Sequence, residues 1–336
     1  MQDKKIPEIQ LSVIIKTLNE ERNIARCIEA AIAATRKLNV EIIVADSGSS
    51  DRTIEIATQY PVIAAQLSDF SERSCGIGPQ LGYQHSKGDF VLILDADMVL
   101  HEEFIDAALA RMKAENRCAG VGGQLVEKSG TGYEYDLRNA MAVEADVNVR
   151  WLDGGGLYRR TAIEDVGYLS NRNLHAYEEK ELGLRLTSKG WHMFRLGIVA
   201  VDHYGHAVDT VGLLWRRWKS GYADACGESL RASFGKNYFW EMLKVHKAIA
   251  VCLFLQIASL IAAALTSISS WPLLLTLLVW FMFFIIQSTR KKSMKVAIHS
   301  LVHLNVFAIG MAKGLIKGQI DPQSTIRSTV THSNQN

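Results

Sequence analysis

From Ala248 to Ile268 the chain carries no charged side chain, and Trp271 to Gln287 is a second uncharged run dense in Leu and Phe. Each is near the length that spans about 30 Å of hydrocarbon at ~1.5 Å per residue. Two buried core helices are the soluble alternative, but adjacent helices that are apolar all round are rare in a soluble domain. The short connector Ser269-Ser270-Trp271-Pro272 makes the two runs an antiparallel hairpin. Arg290-Lys291-Lys292 and Lys295 follow it, and the positive-inside rule places that cluster, with the N-terminal part, in the cytosol. Val296 to Ile316 carries His299, His303, Asn305 and Lys313 among apolar residues at helical spacing (Leu301, Leu304, Ala308, Met311, Leu315). It suits an interfacial amphipathic helix or a third span, with the interfacial reading preferred. The Ser-, Thr- and Asn-rich tail after Asp321-Pro322 reads as disordered.

The remaining composition excludes several classes. A net charge of +2 gives no electrostatic steering toward nucleic acid, which is not expected as a partner. Five scattered cysteines with no CxxC pair argue against a zinc site or a disulfide framework and suit a reducing compartment. Met1-Gln2-Asp3-Lys4-Lys5 leads into a short apolar strand without a signal-peptide core, so the N-terminal part is expected to stay cytosolic.

That part alternates strands and helices. Leu11 to Ile15 is a strand, Asn23 to Leu38 has helical periodicity, Glu41 to Ala45 is a second strand, and Thr53 to Gln59 is a helix capped by Ser50 or Asp51. This βαβ pattern implies a parallel sheet. The first turn holds Thr17-Leu18-Asn19-Glu20-Glu21 where a dinucleotide fold would place G-x-G-x-x-G, so NAD or FAD is not expected.

A further apolar run, Phe90 to Leu94, ends in Asp95-Ala96-Asp97. A strand apolar on both faces fits a parallel sheet covered by helices, and acids at its C-terminal end fall where ligands bind in open α/β sheets. Two carboxylates one residue apart can reach a hard divalent cation and its phosphate ligands. Asp46 ends the second strand in the same way. The stretch Leu94 to Val99 also matches the D-x-D-x-[TV] motif of haloacid-dehalogenase-type phosphatases, with Asp95 as nucleophile and Asp97 as acid/base. That motif normally opens its domain, whereas here two strand–helix units precede it.

Ser12 to Glu20, Val44-Ala45-Asp46-Ser47-Gly48-Ser49-Ser50-Asp51, and Gly88-Asp89 through Asp97 closely resemble the nucleotide-sugar half of family 2 glycosyltransferases. Gly154-Gly155-Gly156-Leu157-Tyr158-Arg159-Arg160 resembles the family strand that floors the donor-sugar pocket, with Gly155 in it. Glu178 to Leu186, closing with Gly190-Trp191, is similar to its acidic helix. The ordered set covers roughly residues 10 to 220 and is far more specific than any single motif.

The resemblance implies a GT-A-type α/β fold, a mainly parallel sheet flanked by helices, and an inverting transfer from a UDP- or GDP-sugar. It implies that Asp46 bonds the base or ribose, that Thr17 and Glu20 line the same pocket, and that Asp95 meets the ribose or metal. Asp97 would ligate Mg²⁺ or Mn²⁺, with His203 as a further ligand to metal or diphosphate. Glu179, preferred over Glu178, would be the general base, although two acids opening a helix also suit its dipole with no catalytic role. Trp215-Arg216-Arg217-Trp218 resembles the Q-x-x-R-W motif of processive members with Leu214 in place of Gln, which argues against polymerase activity; Arg217 would contact the diphosphate or lipid phosphates. Pro79 stands where many members have Arg, so the donor phosphate contact would come from Arg73 or from elsewhere.

The expected organisation is a cytosolic transferase domain over 1–245, a membrane hairpin over 246–290, an amphipathic or third membrane helix over 291–320 and a disordered tail over 321–336. A lipid-linked or saccharide acceptor then follows from the membrane anchor. A phosphatase and a catalytically inactive membrane scaffold are the competing readings.

Overall fold

The computed structural model describes residues 10–128, 146–205, 210–265, 270–291 and 294–332, without the side chains of 210, 211, 290, 291 and 295. The hairpin connector is therefore only partly described, and the N-terminal leader, His206 and the basic side chains that orient the hairpin lie outside the described residues. The chain divides into two compact units: Met1–Leu174, Glu178–Val208 and Gln319–Asn336 form one, and His175–Tyr177 with Asp209–Gly318 form the other. The helices over 210–245 fall in the second unit, with the apolar helices.

The first unit holds strands β1 (Leu11–Thr17), β2 (Val40–Asp46), β3 (Ile63–Leu67), β4 (Phe90–Asp95), β5 (Met98–Leu100), β6 (Cys118–Glu127), β7 (Val147–Val149), β8 (Gly156–Arg159), β9 (His192–His203) and β10 (Ser328–His332). Its helices are α1 (Ile24–Thr35), α2 (Thr53–Ala57), α3 (Ile77–Gln84), α4 (Glu102–Ala114), α5 (Arg160–Asp165) and α6 (Glu178–Ser188). The sheet runs β10-β3-β2-β1-β4-β8-β6-β9-β5, with β7 on β9. Its centre, β3-β2-β1-β4, is parallel, and β6 also pairs parallel with β9.

The apolar runs are buried on both faces. Val13, Ile15, Val44, Leu92 and Leu94 pack against α1 and α4, while Ile14, Ile43, Val91 and Ile93 pack against α3, α5 and α6. Alternate side chains point to opposite faces, so a strand between two helical layers must be apolar throughout. Pro79 lies in the first turn of α3, where its missing N–H costs no helical bond.

The tail departs from the disorder expected of it. Ser328–His332 pairs antiparallel with β3, and Ile326 is buried. Asn173 and Ile320 exchange two hydrogen bonds, Arg172 donates to Ser324 O at 3.0 Å, and Gln84 and Ile326 exchange another pair. A short polar segment is ordered because an open strand edge supplies its backbone partners. Ile326→Ala is expected to cost about 2–5 kcal/mol, read as a lower thermal midpoint by near-UV circular dichroism.

The second unit holds α7 (Thr210–Lys219), α8 (Ala225–Ser233), α9 (Phe239–Val245), α10 (Lys247–Ala264), α11 (Trp271–Lys291) and α12 (Met294–Ile316). Lys247–Ala264, Trp271–Thr289 and Val296–Ile316 are each long and apolar enough to cross a membrane. The stretch read as interfacial is therefore one of three such helices. Phe254, Leu260, Trp271 and Leu275 are all more than 60% exposed, and apolar surface on that scale marks a lipid or protein contact. Helices α8 and α12 cross with their backbones touching: a Cβ at Gly227 would overlap Met311 O, and one at Gly314 would overlap Asp224 O. Small residues permit that approach.

Candidate active site

The C-terminal ends of β1, β2 and β4 share one edge of the sheet. Parallel register sets Thr17 opposite Asp46 and Lys16 opposite Asp95. Lys16 Nζ lies 2.9 Å from Asp95 Oδ1 and 3.5 Å from Glu178 Oε1, so it ties the strand edge to the start of α6. Burial works against the Lys16 charge, but Glu178 and Glu179 outweigh it and hold its pKa above the ordinary lysine value.

Beyond Asp95 the chain turns at Ala96-Asp97 into β5, whose Met98 is paired with His203 on β9. This pairing brings His203 Nε2 to 3.3 Å from Asp97 Oδ2. His203 is also in register with Glu127 on β6, whose Oε2 lies 2.7 Å from His203 Nδ1. One imidazole therefore sits between two carboxylates. Burial would lower its pKa, but Asp97 and then Glu127 overcome that and raise it. The Asp97 turn is held by Tyr204 N, which donates to Asp97 O at 2.9 Å, and Arg26 stacks 3.6 Å from the Tyr204 ring centroid. Behind the turn, Cys27 Sγ lies 3.5 Å from Asp95 O, and burial, followed by Asp97, pushes its thiol up to about 12. It stays protonated and is not a nucleophile.

At the start of α6, Glu179 points back to the loop before β8. Its Oε1 accepts from Gly155 N at 3.0 Å and its Oε2 from Gly154 N at 3.3 Å. Burial pushes its carboxyl up to about 7, against Lys16, which lowers it, and with Glu178, which raises it. A carboxyl near neutrality is suited to taking a proton. Gly155 has φ +89°, and a Cβ there would overlap Ile93 O. Gly155→Ala is thus expected to destabilise the unit by about 1–3 kcal/mol and to displace Glu179, seen as a lower melting temperature together with reduced turnover.

Residues 12–167 match the Glycosyl transferase family 2 profile, and residues 90–286 match that of Glycosyl transferase family group 2. The chain belongs to glycosyltransferase family 2. It is 27% identical over 176 residues to Glycosyltransferase AglE of Haloferax volcanii, covering 48% of this chain and 56% of that protein. It is 36% identical over 97 residues to the undecaprenyl-phosphate 4-deoxy-4-formamido-L-arabinose transferase of Pectobacterium atrosepticum, covering 26% of this chain and 29% of that one. The match therefore spans little more than half of the first relative and under a third of the second. The mannosyltransferase PcManGT from Pyrobaculum calidifontis, solved with GDP-Man and Mn²⁺, shares the fold at 17% identity and a TM-score of 0.57, over 90% of this chain and 87% of that one.

Family membership displaces the phosphatase reading, which rested on the few residues around Asp95 and Asp97. In this family 2 chain the structure brings Thr17, Asp46, Asp95, Asp97, Glu178, Glu179, Gly155 and His203 into the first unit. Asp46 is fully buried and accepts from Gly48 N at 3.0 Å, Ser49 N at 2.9 Å and Gln66 Nε2 at 2.9 Å. Its carboxylate shapes the turn after β2. Arg73 donates to the Ser47 and Gly48 carbonyls, so it braces the same turn. Glu20 accepts from Asn23 Nδ2 at 2.8 Å. Thr17 Oγ1 is buried with no hydrogen-bond partner among the described residues. Arg217 lies apart from these residues in sequence and belongs to the second unit, its guanidinium 5.1 Å from the Tyr222 ring centroid.

Sequence reasoning missed Lys16 and Glu127. Lys16 is the one charged residue in an otherwise apolar and neutral first strand, which was a usable signal. Glu127 carried none, because only the β6–β9 register places it beside His203.

Proposed function

We propose that this protein transfers a sugar, with inversion, from a UDP- or GDP-sugar to a lipid-linked or saccharide hydroxyl at the cytosolic face of a membrane. The observation that carries the reading is the carboxylate of Glu179, seated on the Gly154 and Gly155 amides and linked through Glu178 and Lys16 to Asp95. The acceptor oxygen would bond to the anomeric carbon as the bond to the diphosphate breaks, and its proton would pass to Glu179.

Asp97 and His203 suit Mg²⁺ or Mn²⁺. The Asp97 carboxylate provides a hard oxygen donor and the His203 imidazole a borderline nitrogen donor, and Glu127 orients the imidazole from behind, as an outer-shell carboxylate does. A cation there would be shared with the donor diphosphate rather than caged by protein. Such a cation supplies Lewis-acid stabilisation of the departing diphosphate. Asp46 would shape the base pocket, and Asp95 would hold Lys16 and meet the ribose.

A second reading, with a lipid phosphate as acceptor, is favoured by the name of the Pectobacterium relative. Thermal shift with UDP-, GDP- and dTDP-sugars, with and without Mn²⁺, tests the proposal. A metal-dependent rise with one nucleotide class is expected, and no rise with any would identify a scaffold.

A further inference from the structure

An exposed aromatic ring lies against the turn after β2. Phe70, three residues past the end of β3, is 52% exposed, and Leu18, the residue after β1, is 42% exposed. Among the described residues of the first unit, the other large apolar side chains this open are Val147 on β7 and Ile320 in the tail. Strands β3, β2 and β1 are parallel neighbours in that order, so Phe70 and Leu18 stand on loops to either side of the turn that Asp46 closes.

Isolated apolar side chains on a surface are ordinary, but Phe70 is held. Its segment is a 3₁₀ turn, Phe70–Glu72, opened by Asp69, whose Oδ1 accepts from Ser71 N at 3.0 Å. Just before it Ser68 N donates to Arg327 O at 3.0 Å, and Glu72 pairs with Arg172. Arg73 closes the segment. Its guanidinium lies 4.7 Å from the Phe70 ring centroid, and its Nε donates to Ser47 O at 2.8 Å. The ring abuts Gly48, where a Cβ would stand 2.6 Å from Phe70 Cδ1 and Cε1. Immobilising a side chain costs rotamer entropy, and a ring fixed in advance spares a ligand that cost.

The neighbouring carboxylate does not compete for the same ligand. Asp46 is fully buried, and Gly48 N, Ser49 N, Ser49 Oγ and Gln66 Nε2 all donate to it. Two carboxylate oxygens accept about four hydrogen bonds, so the capacity of Asp46 is spent inside the turn. What Phe70 and Asp46 together offer a base is aromatic surface rather than a hydrogen-bonding edge.

We propose that Phe70 is a stacking residue for the nucleobase of the donor, held ready by Arg73 and Gly48. The proposal rests on the reading of the Asp46 turn as a wall of the base pocket. Every base has a π-face that an aromatic side chain can take up.

Isothermal titration calorimetry of the full chain in detergent tests it, with UDP, GDP and inorganic pyrophosphate as probes, each with Mn²⁺. Phe70→Ala is expected to weaken whichever nucleoside diphosphate the wild type binds by about 5- to 100-fold. Pyrophosphate affinity and the ligand-free thermal midpoint are expected to stay unchanged. Phe70→Leu keeps apolar bulk against Gly48 but has no π-face, and is expected to fall with Phe70→Ala, whereas Phe70→Tyr keeps wild-type affinity. Nucleotide affinity equal to wild type in Phe70→Ala or Phe70→Leu overturns the proposal, as does an equal loss of pyrophosphate affinity. No nucleotide binding by the wild type itself would remove the donor reading and this proposal together.

Discussion

Asp97→Ala is expected to abolish metal-dependent nucleotide binding and to lower sugar transfer by ~10³-fold or more, since Lewis-acid stabilisation of a leaving diphosphate is worth several kcal/mol. The side chain sits on a turn rather than in the apolar core, so the variant should fold and stay with the membrane fraction. Glu127→Gln provides the graded control. It leaves Asp97 and His203 in place and removes only the carboxylate behind the imidazole, 2.7 Å away. Outer-shell losses of this kind cost about 10–100-fold in metal affinity. Mn²⁺ titration of nucleotide binding should therefore rank wild type above Glu127→Gln and Glu127→Gln above Asp97→Ala. Equal Mn²⁺ dependence in all three would remove the metal from this site.

Glu179→Gln is expected to lower transfer to a hydroxyl acceptor by about 10²–10⁴-fold with donor binding retained. The working form of a base is the carboxylate, and its carboxyl is pushed up to about 7. Wild-type kcat/KM should then rise with pH through about 7 and level off above it. The stability consequence has the opposite sign. Because the folded value lies above the ordinary 4.5, the native state binds more protons than the unfolded chain between the two values, and stability falls as pH rises across that window. A buried carboxylate with a raised pKa weakens the fold at the pH where it is ionised. The acceptor class is read in the same experiment. A phosphate monoester, with a second pKa near ~6, is already ionised at neutral pH and needs no base. If Glu179→Gln barely slows transfer to a polyprenyl phosphate while crippling transfer to a sugar hydroxyl, the residue serves hydroxyl acceptors alone.

Much of this candidate site is readable in the sequence. Asp95 and Asp97 announce themselves because a run apolar on both faces has to end somewhere polar, and in a parallel sheet that end faces the ligand. Glu178 and Glu179 stand out as acids opening an amphipathic helix. His203 is only suggestive in isolation, and it becomes a neighbour of Asp97 through the Met98–His203 pairing on β5 and β9. The tail is the opposite case. Ser328–His332 has the composition of a disordered segment, yet β3 orders it, since an unpaired strand edge rewards backbone hydrogen bonds that do not depend on side-chain polarity.

What the sequence alone determined is everything that follows from local pattern. Periodicity and charge specify the strand–helix alternation, the two uncharged helices of the hairpin and the acids at strand ends, because each depends on which residues sit within a few positions of one another. What only the tertiary structure decided is which distant residues meet. Glu127 behind His203, Lys16 between Asp95 and Glu178, and Glu179 on the Gly154 and Gly155 amides all depend on strand register and helix packing. Those arrangements minimise the free energy of the whole packed chain, and no short window of sequence carries them.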